Sequence, residues 1–194
     1  MHSTKTIILA SASPRRKEIL GKTGLKFIVD ESDYEENMDS GLEPCDLAAR
    51  HALGKAEAAA LKHSDSIIIS ADTIVVLKDR VFGKPRNKSE AKQMLKILSG
   101  KAHTVITGYT ILDAGAGRKV TRTIETKVFF KRLTDNEINA YVKSGEPMDK
   151  AGAYGVQGLG AVIVRKIEGD FFNVMGLPLN SVVESLKSFG IKVL

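Results

Sequence analysis

The sequence predicts an α/β protein with a mixed, twisted sheet and flanking helices, and three observations lead to this fold class. Strand and helix patterns alternate from end to end of the 194 residues. The run Ser66–Ala71 is largely β-branched, which is typical of a strand covered on both faces. Two long alternating segments, His103–Asp113 and Lys119–Leu133, are joined by Ala114–Gly117 and predict an antiparallel hairpin.

The first third of the chain contains two predicted strands and two predicted helices. An apolar strand covers Thr6–Ala12, and Pro14 takes the first position of a helix that Gly24 closes. Lys26–Asp30 predicts a second strand. An alanine-rich helix then extends over about Glu43–His63.

The middle third continues with a buried strand, a short hairpin and a helix. We expect the strand Ser66–Ala71 to end at Asp72. The segments Ile74–Leu77 and Arg80–Phe82 flank a two-residue turn and predict a hairpin. Ser89–Leu98 has the apolar periodicity of an amphipathic helix.

The last third contains a capped helix, a glycine-rich loop, a strand and a final helix. The capping-box sequence Thr134–Glu137 predicts a helix over Asp135–Lys143. A glycine-rich loop covers Glu146–Gly160, the strand Ala161–Ile167 follows, and the last helix extends over Pro178–Phe189. Because no linker or repeat interrupts this order, we expect a single domain over residues 1–194.

Composition excludes several classes of protein. With 43% hydrophobic and 27% charged residues the chain is in the ordinary globular range. Its apolar runs are far shorter than the roughly 20 residues of a membrane span, and Ile7–Ala10 is too short for a secretory signal, so we expect a cytoplasmic protein. The single cysteine, Cys45, excludes an internal disulfide.

The balance of charge is modestly basic and suits a phosphate-bearing ligand. The chain has 29 Lys and Arg against 23 Asp and Glu, a formal charge of +6. The basic residues are interspersed with acids, and few aromatic residues interleave with them as single-strand binding requires. A smaller phosphate-bearing ligand suits this net charge as well as a nucleic acid would. We therefore expect a small ligand of this kind and no nucleic-acid partner.

The first candidate site is the turn from the first strand into the first helix. Free helix amides, the hydroxyls of Ser11 and Ser13, and the guanidiniums of Arg15 and Arg16 meet there, as binding of a phosphate requires. An ordinary N-cap followed by surface arginines fits the local sequence equally well. Because successive helix residues point about 100° apart, the two arginines have separate roles.

Acidic residues supply the second candidate site. Asp72 follows a buried strand, where it could hold a divalent cation or take a proton from water, or could be a turn residue or helix cap. A cluster of acids after the second strand could provide oxygen ligands for Mg²⁺ or Mn²⁺, or form a solvated loop. These acids are Asp30, Glu31, Asp33, Glu35 and Glu36.

Two lysines and a glutamine complete the candidates, and several known site types are excluded. Lys55 lies in the alanine-rich helix, and Lys84 lies in a loop that lacks the Ser or Thr of a Walker A motif. Gln157 lies in a glycine-rich loop that could approach a ligand and could equally be a flexible turn. The histidines form no HExxH pair and no G-x-S-x-G elbow occurs, so a zinc protease or serine hydrolase is not expected.

Six stretches, in the same order along the chain, resemble the Maf family of nucleoside triphosphate pyrophosphatases. These stretches are Leu9–Leu20, Ala71–Val75, Gly83–Pro85, Leu98–Gly100, Gly145–Gly158 and Asn173–Leu179. The resemblance implies hydrolysis between the α and β phosphates of a nucleoside triphosphate, with a divalent metal such as Mg²⁺, Mn²⁺ or Co²⁺. It also implies a two-lobed fold with a central cleft, like that of the inosine triphosphate pyrophosphatases, and a homodimer.

The resemblance also implies roles for individual residues. Asp72 matches the family's proton acceptor and is a candidate metal ligand with Glu36. The phosphate-handling positions are matched by Ser11, Arg16, Lys55 and Lys84.

Three further residues indicate which nucleotide base the protein accepts. Arg15, Thr73 and Gln157 resemble the branch that acts on dTTP and UTP, including modified pyrimidines. The alternatives are a nucleotide- or nucleic-acid-binding regulator of septum formation and cell division, and a pyrophosphatase for inosine and xanthosine triphosphates.

Overall fold

The computed structural model describes residues 5–37 and 41–194, and these residues form a mixed sheet with helices. The strands are β1 (Thr6–Leu9), β2 (Ile28–Val29), β3 (Ser66–Leu77), β4 (Arg80–Phe82), β5 (Ala102–Asp113), β6 (Arg118–Phe130) and β7 (Val164–Glu168). The α-helices are α1 (Pro14–Gly21), α2 (Pro44–Ala60), α3 (Lys88–Leu98), α4 (Asp135–Lys143), α5 (Phe171–Met175) and α6 (Leu179–Lys187). Short 3-10 helices cover Glu146–Asp149, Ala151–Ala153 and Gly158–Val162.

The sheet combines parallel and antiparallel pairs, which confirms the predicted fold class. Its strand order is β2-β1-β3-β5-β6-β7, and β4 pairs with β3. The strand β1 is parallel to both neighbours, with Ile8 opposite Ile28 and Ile68. The pairs β3–β4 and β6–β7 are antiparallel. The β4 pairing confirms the short hairpin that the sequence predicts.

The chain divides into two compact units. The first consists of the described residues within Met1–Asp72, together with Thr107–Ile124 and Gly176–Leu194. The second consists of Thr73–Ile106 and Glu125–Met175. The single domain with a central cleft stays a prediction.

In the first unit, small residues bring α2 close to the strands. Ala56 and Ala59 of α2 are fully or almost fully buried against Ile8 and Ile68. Gly108 of β5 leaves room for the helix backbone, since a Cβ atom built there would lie 2.3 Å from the carbonyl oxygen of Ala48. This close packing fixes the position of α2. It therefore also fixes the α2 side chains that point towards Asp72, the last β3 residue of the first unit.

In the second unit, three buried aromatic rings tie the glycine-rich loop to the sheet. His103 of β5, Phe130 of β6 and Tyr154 of the loop pack edge to face, with ring centroids 4.6–5.2 Å apart. The Nε2 atom of His103 lies 2.7 Å from the Tyr154 hydroxyl. Burial lowers the pKa of His103 to about 4, so the ring is neutral at physiological pH.

Several expected strand boundaries are wrong, and one helix was not predicted. The strand expected over Thr6–Ala12 ends at Leu9, and the strand expected over Ala161–Ile167 begins at Val164, after a 3-10 helix over Gly158–Val162. The strand β3 does not end at Asp72 but continues to Leu77, because Val75–Leu77 pairs with β4. The helix α5 follows Asp170, whose side chain accepts hydrogen bonds from the backbone amides of Phe172 and Asn173. The predicted capping box is confirmed, since Thr134 and Glu137 exchange both hydrogen bonds at the start of α4.

We expect the protein to lose stability as the pH falls from 6.5 towards 4, because the unfolded chain protonates His103 while the folded chain keeps it neutral. This residue alone accounts for a loss of about 3 kcal/mol. His103→Gln removes the titration and keeps a polar nitrogen near the position of Nε2. Urea unfolding of both proteins between about pH 4 and 7 measures the difference.

The variant starts from a lower stability at neutral pH, so the comparison concerns slopes and not absolute values. A flatter pH dependence in His103→Gln is the expected result. Parallel curves for the two proteins would show that His103 titrates normally in the folded state.

Candidate functional site

The turn between β1 and α1 holds Arg16 against Ser11. Ser13 caps α1 by accepting a hydrogen bond from the Arg16 amide at 3.5 Å, and Pro14 takes the first helical position. The Arg16 side chain donates from Nη1 to the Ser11 hydroxyl at 3.1 Å and from Nε to the Gly176 carbonyl at 2.8 Å. The structure therefore holds this guanidinium beside the helix N-terminus.

The helix α2 presents two donors to the Asp72 carboxylate. Lys55 Nζ lies 2.6 Å from Asp72 Oδ1, and the same ammonium lies 2.6 Å from Glu36 Oε1. His51 Nδ1 lies 3.3 Å from Asp72 Oδ2, and His51 Nε2 lies 3.2 Å from the Asn37 carbonyl oxygen. Because His51 and Lys55 are four residues apart, they project from the same face of the helix.

The cluster keeps a buried carboxylate ionised. Burial raises the pKa of Asp72, but the hydrogen bond from His51 and the charges of Lys55 and Arg16 outweigh it and hold the pKa well below its usual range. The hydrogen bond to Asp72 raises the pKa of His51, against the opposing effect of burial. Both His51 partners are acceptors, so each contact is a hydrogen bond when the ring nitrogen facing it carries a proton.

The loop that carries Glu36 packs on the same helix. The Tyr34 ring lies 5.9 Å from the His51 ring, centroid to centroid. It also covers Gly54, where an added Cβ atom would lie 2.2 Å from a Tyr34 ring carbon. Farther along the loop and helix, Asp30 is 2.7 Å from His63 and Asp33 is 2.8 Å from Lys62.

Three side chains of this cluster could contact a divalent cation. One donor atom each from Glu36, His51 and Asp72 lies within 4.8 Å of the other two. Carboxylate oxygens are the ligands that Mg²⁺ and Mn²⁺ prefer, so Glu36 and Asp72 fit such an ion. His51 already has an oxygen acceptor at each nitrogen.

The structure brings five of the nine predicted site residues together in the first unit. These are Ser11, Arg16, Glu36, Lys55 and Asp72. The side chain of Arg15 is half-buried in the first turn of α1.

The other three belong to the second unit, and their approach to the cluster stays a prediction. Thr73 is half-buried on β3, and Lys84 is exposed after β4. Gln157 is half-buried and immediately precedes the 3-10 helix Gly158–Val162.

The predicted set lacks His51, which is the nearest histidine neighbour of the candidate acid. It belongs to no metal-binding motif, so a motif search passes over it. Its signal is the spacing of four residues from Lys55 on a predicted helix, which places both side chains on one face. The Asn37 contact gives no such signal because it uses a backbone carbonyl.

A carboxylate organises the glycine-rich loop of the second unit. Glu146 accepts hydrogen bonds from the Tyr141 hydroxyl at 3.0 Å and from the amides of Leu159 and Gly160 at 2.9 and 3.0 Å. Leu159 and Gly160 lie two and three residues after Gln157. The loop is therefore held by Glu146 and by Tyr141 of α4, and it is not the flexible turn that the sequence left open.

Among the described residues, no helix combines the length and the apolar character needed to span a membrane.

A structural comparison finds a HAM1 protein from Coxiella burnetii, with a TM-score of 0.53 and 16% identity over 95% of this chain and 100% of that one. This likeness concerns the fold, and it confirms the predicted resemblance to the inosine triphosphate pyrophosphatase fold.

Sequence comparisons give much closer relatives. A dTTP/UTP pyrophosphatase from Desulforamulus reducens is 47% identical over 97% of this chain and 99% of its own length. A protein of the same name from Bacillus anthracis is 48% identical over 97% of this chain and 98% of its own length. The family model of Maf-like proteins matches residues 6–189. This match covers almost the whole sequence, so the chain belongs to the Maf-like protein family.

Proposed function

We propose that this protein hydrolyses pyrimidine nucleoside triphosphates, dTTP and UTP, to the nucleoside monophosphate and pyrophosphate. The observation that carries the proposal is the 47–48% identity, over nearly the full length, to relatives named dTTP/UTP pyrophosphatase. Neither name mentions a regulator of cell division, so that alternative is not favoured. The homodimer that the family resemblance implies and the cytoplasmic location expected from the sequence both stay predictions.

The charges of the first unit suit a polyphosphate. Arg16 carries positive charge beside the amides at the start of α1, and Lys55 carries a second positive charge at Asp72. Such groups stabilise the charge that develops on the departing pyrophosphate. The bond from Arg16 to Gly176 fixes the guanidinium before substrate arrives. We propose that Lys84 adds a further cation from the second unit.

Asp72 is proposed to orient the attacking water. A carboxylate with a strongly lowered pKa is a weak proton acceptor, because general bases work best when their pKa is near the working pH. Each oxygen of Asp72 keeps a second lone pair beyond its contact with Lys55 or His51. Of the two roles left open by the sequence, the electrostatics favour holding water or a cation over removing a proton.

A divalent cation is part of this proposal. Glu36 and Asp72 would hold it, in keeping with their oxygen ligands and their separation of less than 4.8 Å. When bound, the ion supplies positive charge towards the phosphates and acidity to bound water. Lys55 now contacts both carboxylates, so this side chain would share them with the ion.

Base selection is proposed for residues outside the cluster. Arg15, Thr73 and Gln157 resemble the branch acting on pyrimidines, and Gln157 offers a donor and an acceptor to a base edge. Glu146 fixes the loop beside Gln157, which lowers the entropy cost of presenting that amide. Modified pyrimidines, such as 5-methyl-UTP and pseudo-UTP, belong to the same proposed class.

We expect pyrophosphate release from dTTP and UTP to exceed that from dATP, dGTP, ITP and XTP. The assay uses each triphosphate with Mg²⁺, Mn²⁺ or Co²⁺. In ¹⁸O-labelled water the label should enter the monophosphate, because the water attacks the α phosphorus. Label confined to pyrophosphate would instead place the attack at the β phosphorus, and a preference for ITP would assign the chain to the sister activity.

We expect Asp72→Asn to lower kcat by about 100-fold or more, because the variant loses the carboxylate charge that holds the attacking water or the cation in place. The side-chain amide of the variant places an N–H donor against Lys55 or His51. Both of these side chains donate to the carboxylate in the unmodified protein, so one contact in the variant would join two donors. Stopped assays of pyrophosphate release give kcat, and calorimetry with a non-hydrolysable dTTP analogue measures binding.

The matched control is Asp79→Asn, which changes the same group in an exposed turn. This control should keep the kcat of the unmodified protein. Retention of kcat in Asp72→Asn would remove Asp72 from the reaction.

We expect Gly54→Ala to lower kcat by up to about 100-fold, because the new methyl group displaces the Tyr34 ring and with it the loop that carries Glu36. Alanine is favoured over glycine in a helix by about 1 kcal/mol. The melting temperature should therefore not fall in proportion to the loss of kcat. The control is Gly21→Ala at the end of α1, where an added Cβ atom meets nothing within 4 Å. Equal activity in the two variants would show that the Tyr34 contact does not position the loop.

A further inference from the structure

His51 is a buried side chain for which the proposed reaction has so far given no role. It is 1% exposed, and its two ring nitrogens contact oxygen acceptors on different parts of the chain. One acceptor is the Asp72 carboxylate and the other is the Asn37 carbonyl. Burial favours a hydrogen-bond partner for each ring nitrogen, and here both partners belong to the acidic cluster and the loop beside it.

The first contact controls how the Asp72 carboxylate is turned. Lys55 contacts Oδ1 and His51 contacts Oδ2, so each oxygen has its own donor. Both donors project from one face of α2, and the helix therefore sets the plane of the carboxylate. Removing one donor leaves the group free to rotate about the bond to its Cβ atom, and misorientation of this kind reduces catalysis.

The second contact fixes the loop beside Glu36. The Asn37 carbonyl follows Glu36 directly, and Lys55 contacts the Glu36 carboxylate at 2.6 Å. The Tyr34 ring of the same loop lies 5.9 Å from the His51 ring, centroid to centroid. One imidazole thus contacts both Asp72 and the loop that carries Glu36.

We propose that His51 is a positioning residue that sets the orientation of the Asp72 carboxylate and holds the Glu36 loop in register with it. This inference rests on the proposed function, since orientation matters only if Asp72 takes part in turnover. His51 acts through Asp72 and need not touch the substrate. The competing role is that of a metal ligand, because His51 lies within the group of potential donors.

Three variants separate the two contacts of the ring. The side-chain nitrogen of His51→Asn takes the position of Nδ1, so this variant keeps the donor to Asp72. The nitrogen of His51→Gln takes the position of Nε2, so this variant keeps the donor to Asn37. His51→Leu has similar volume and keeps neither donor.

The measurements are kcat and KM for dTTP, the melting temperature, and Mn²⁺ affinity by electron paramagnetic resonance without nucleotide. We expect His51→Leu and His51→Gln to lose about 10- to 100-fold in kcat, the range for residues that orient a metal-binding carboxylate. His51→Asn keeps the donor to Asp72 and loses only the Asn37 contact, so it should lose less of kcat and less Mn²⁺ affinity than the other two variants. KM should change little in all three.

Several results would overturn the proposal. Unchanged kcat in all three variants would show that neither contact matters, and kcat losses that follow only the melting temperature would assign His51 to the core. An equal loss of Mn²⁺ binding in the three variants would make His51 a ligand. An unmodified protein that released no pyrophosphate would instead refute the proposed function itself, so the two failures are distinguishable.

Discussion

The first unit is arranged around one buried negative charge. The Asp72 carboxylate is 5% exposed, and a carboxylate removed from water to that extent is stable only when nearby groups replace its hydration. Lys55 and His51 supply hydrogen bonds, and Arg16 supplies charge from α1. The close packing of α2 on the strands serves this compensation, because it brings two donors within reach of one strand residue.

The two units carry different parts of the proposed chemistry. The first holds a dense cluster of charges that suits phosphates and a divalent cation. In the second, Glu146 and the ring group of Tyr154 hold a glycine-rich loop near Gln157, whose amide suits a base edge.

Much of the fold was predictable because local capping signals agree with the tertiary structure. Pro14 and the capping box at Thr134 mark helix starts that the structure confirms. The end of β3 was not predictable in the same way. Aspartate is uncommon in strand interiors, so Asp72 suggested a boundary, yet pairing with β4 carries the strand past it. The five-residue helix α5 was missed because Asp170 gives the same signal for a turn as for a cap.

The candidate site was predictable where residue type alone indicates chemistry. Arg16, Lys55 and Asp72 are charged groups in recognisable surroundings, and the structure brings them together. His51 was not predictable from its type, since its partners are a carboxylate distant in sequence and a backbone oxygen. Only a three-dimensional arrangement shows that an isolated histidine sits between two acidic elements.

The hydrogen bond from Arg16 to the Gly176 carbonyl has a consequence for biosynthesis. The two residues are separated by 160 positions, so a nascent chain exposes its arginine long before the carbonyl exists. The guanidinium acquires this partner only after Gly176 has been synthesised. A nascent chain that stops before Gly176 therefore cannot hold the guanidinium beside the start of α1 through this hydrogen bond.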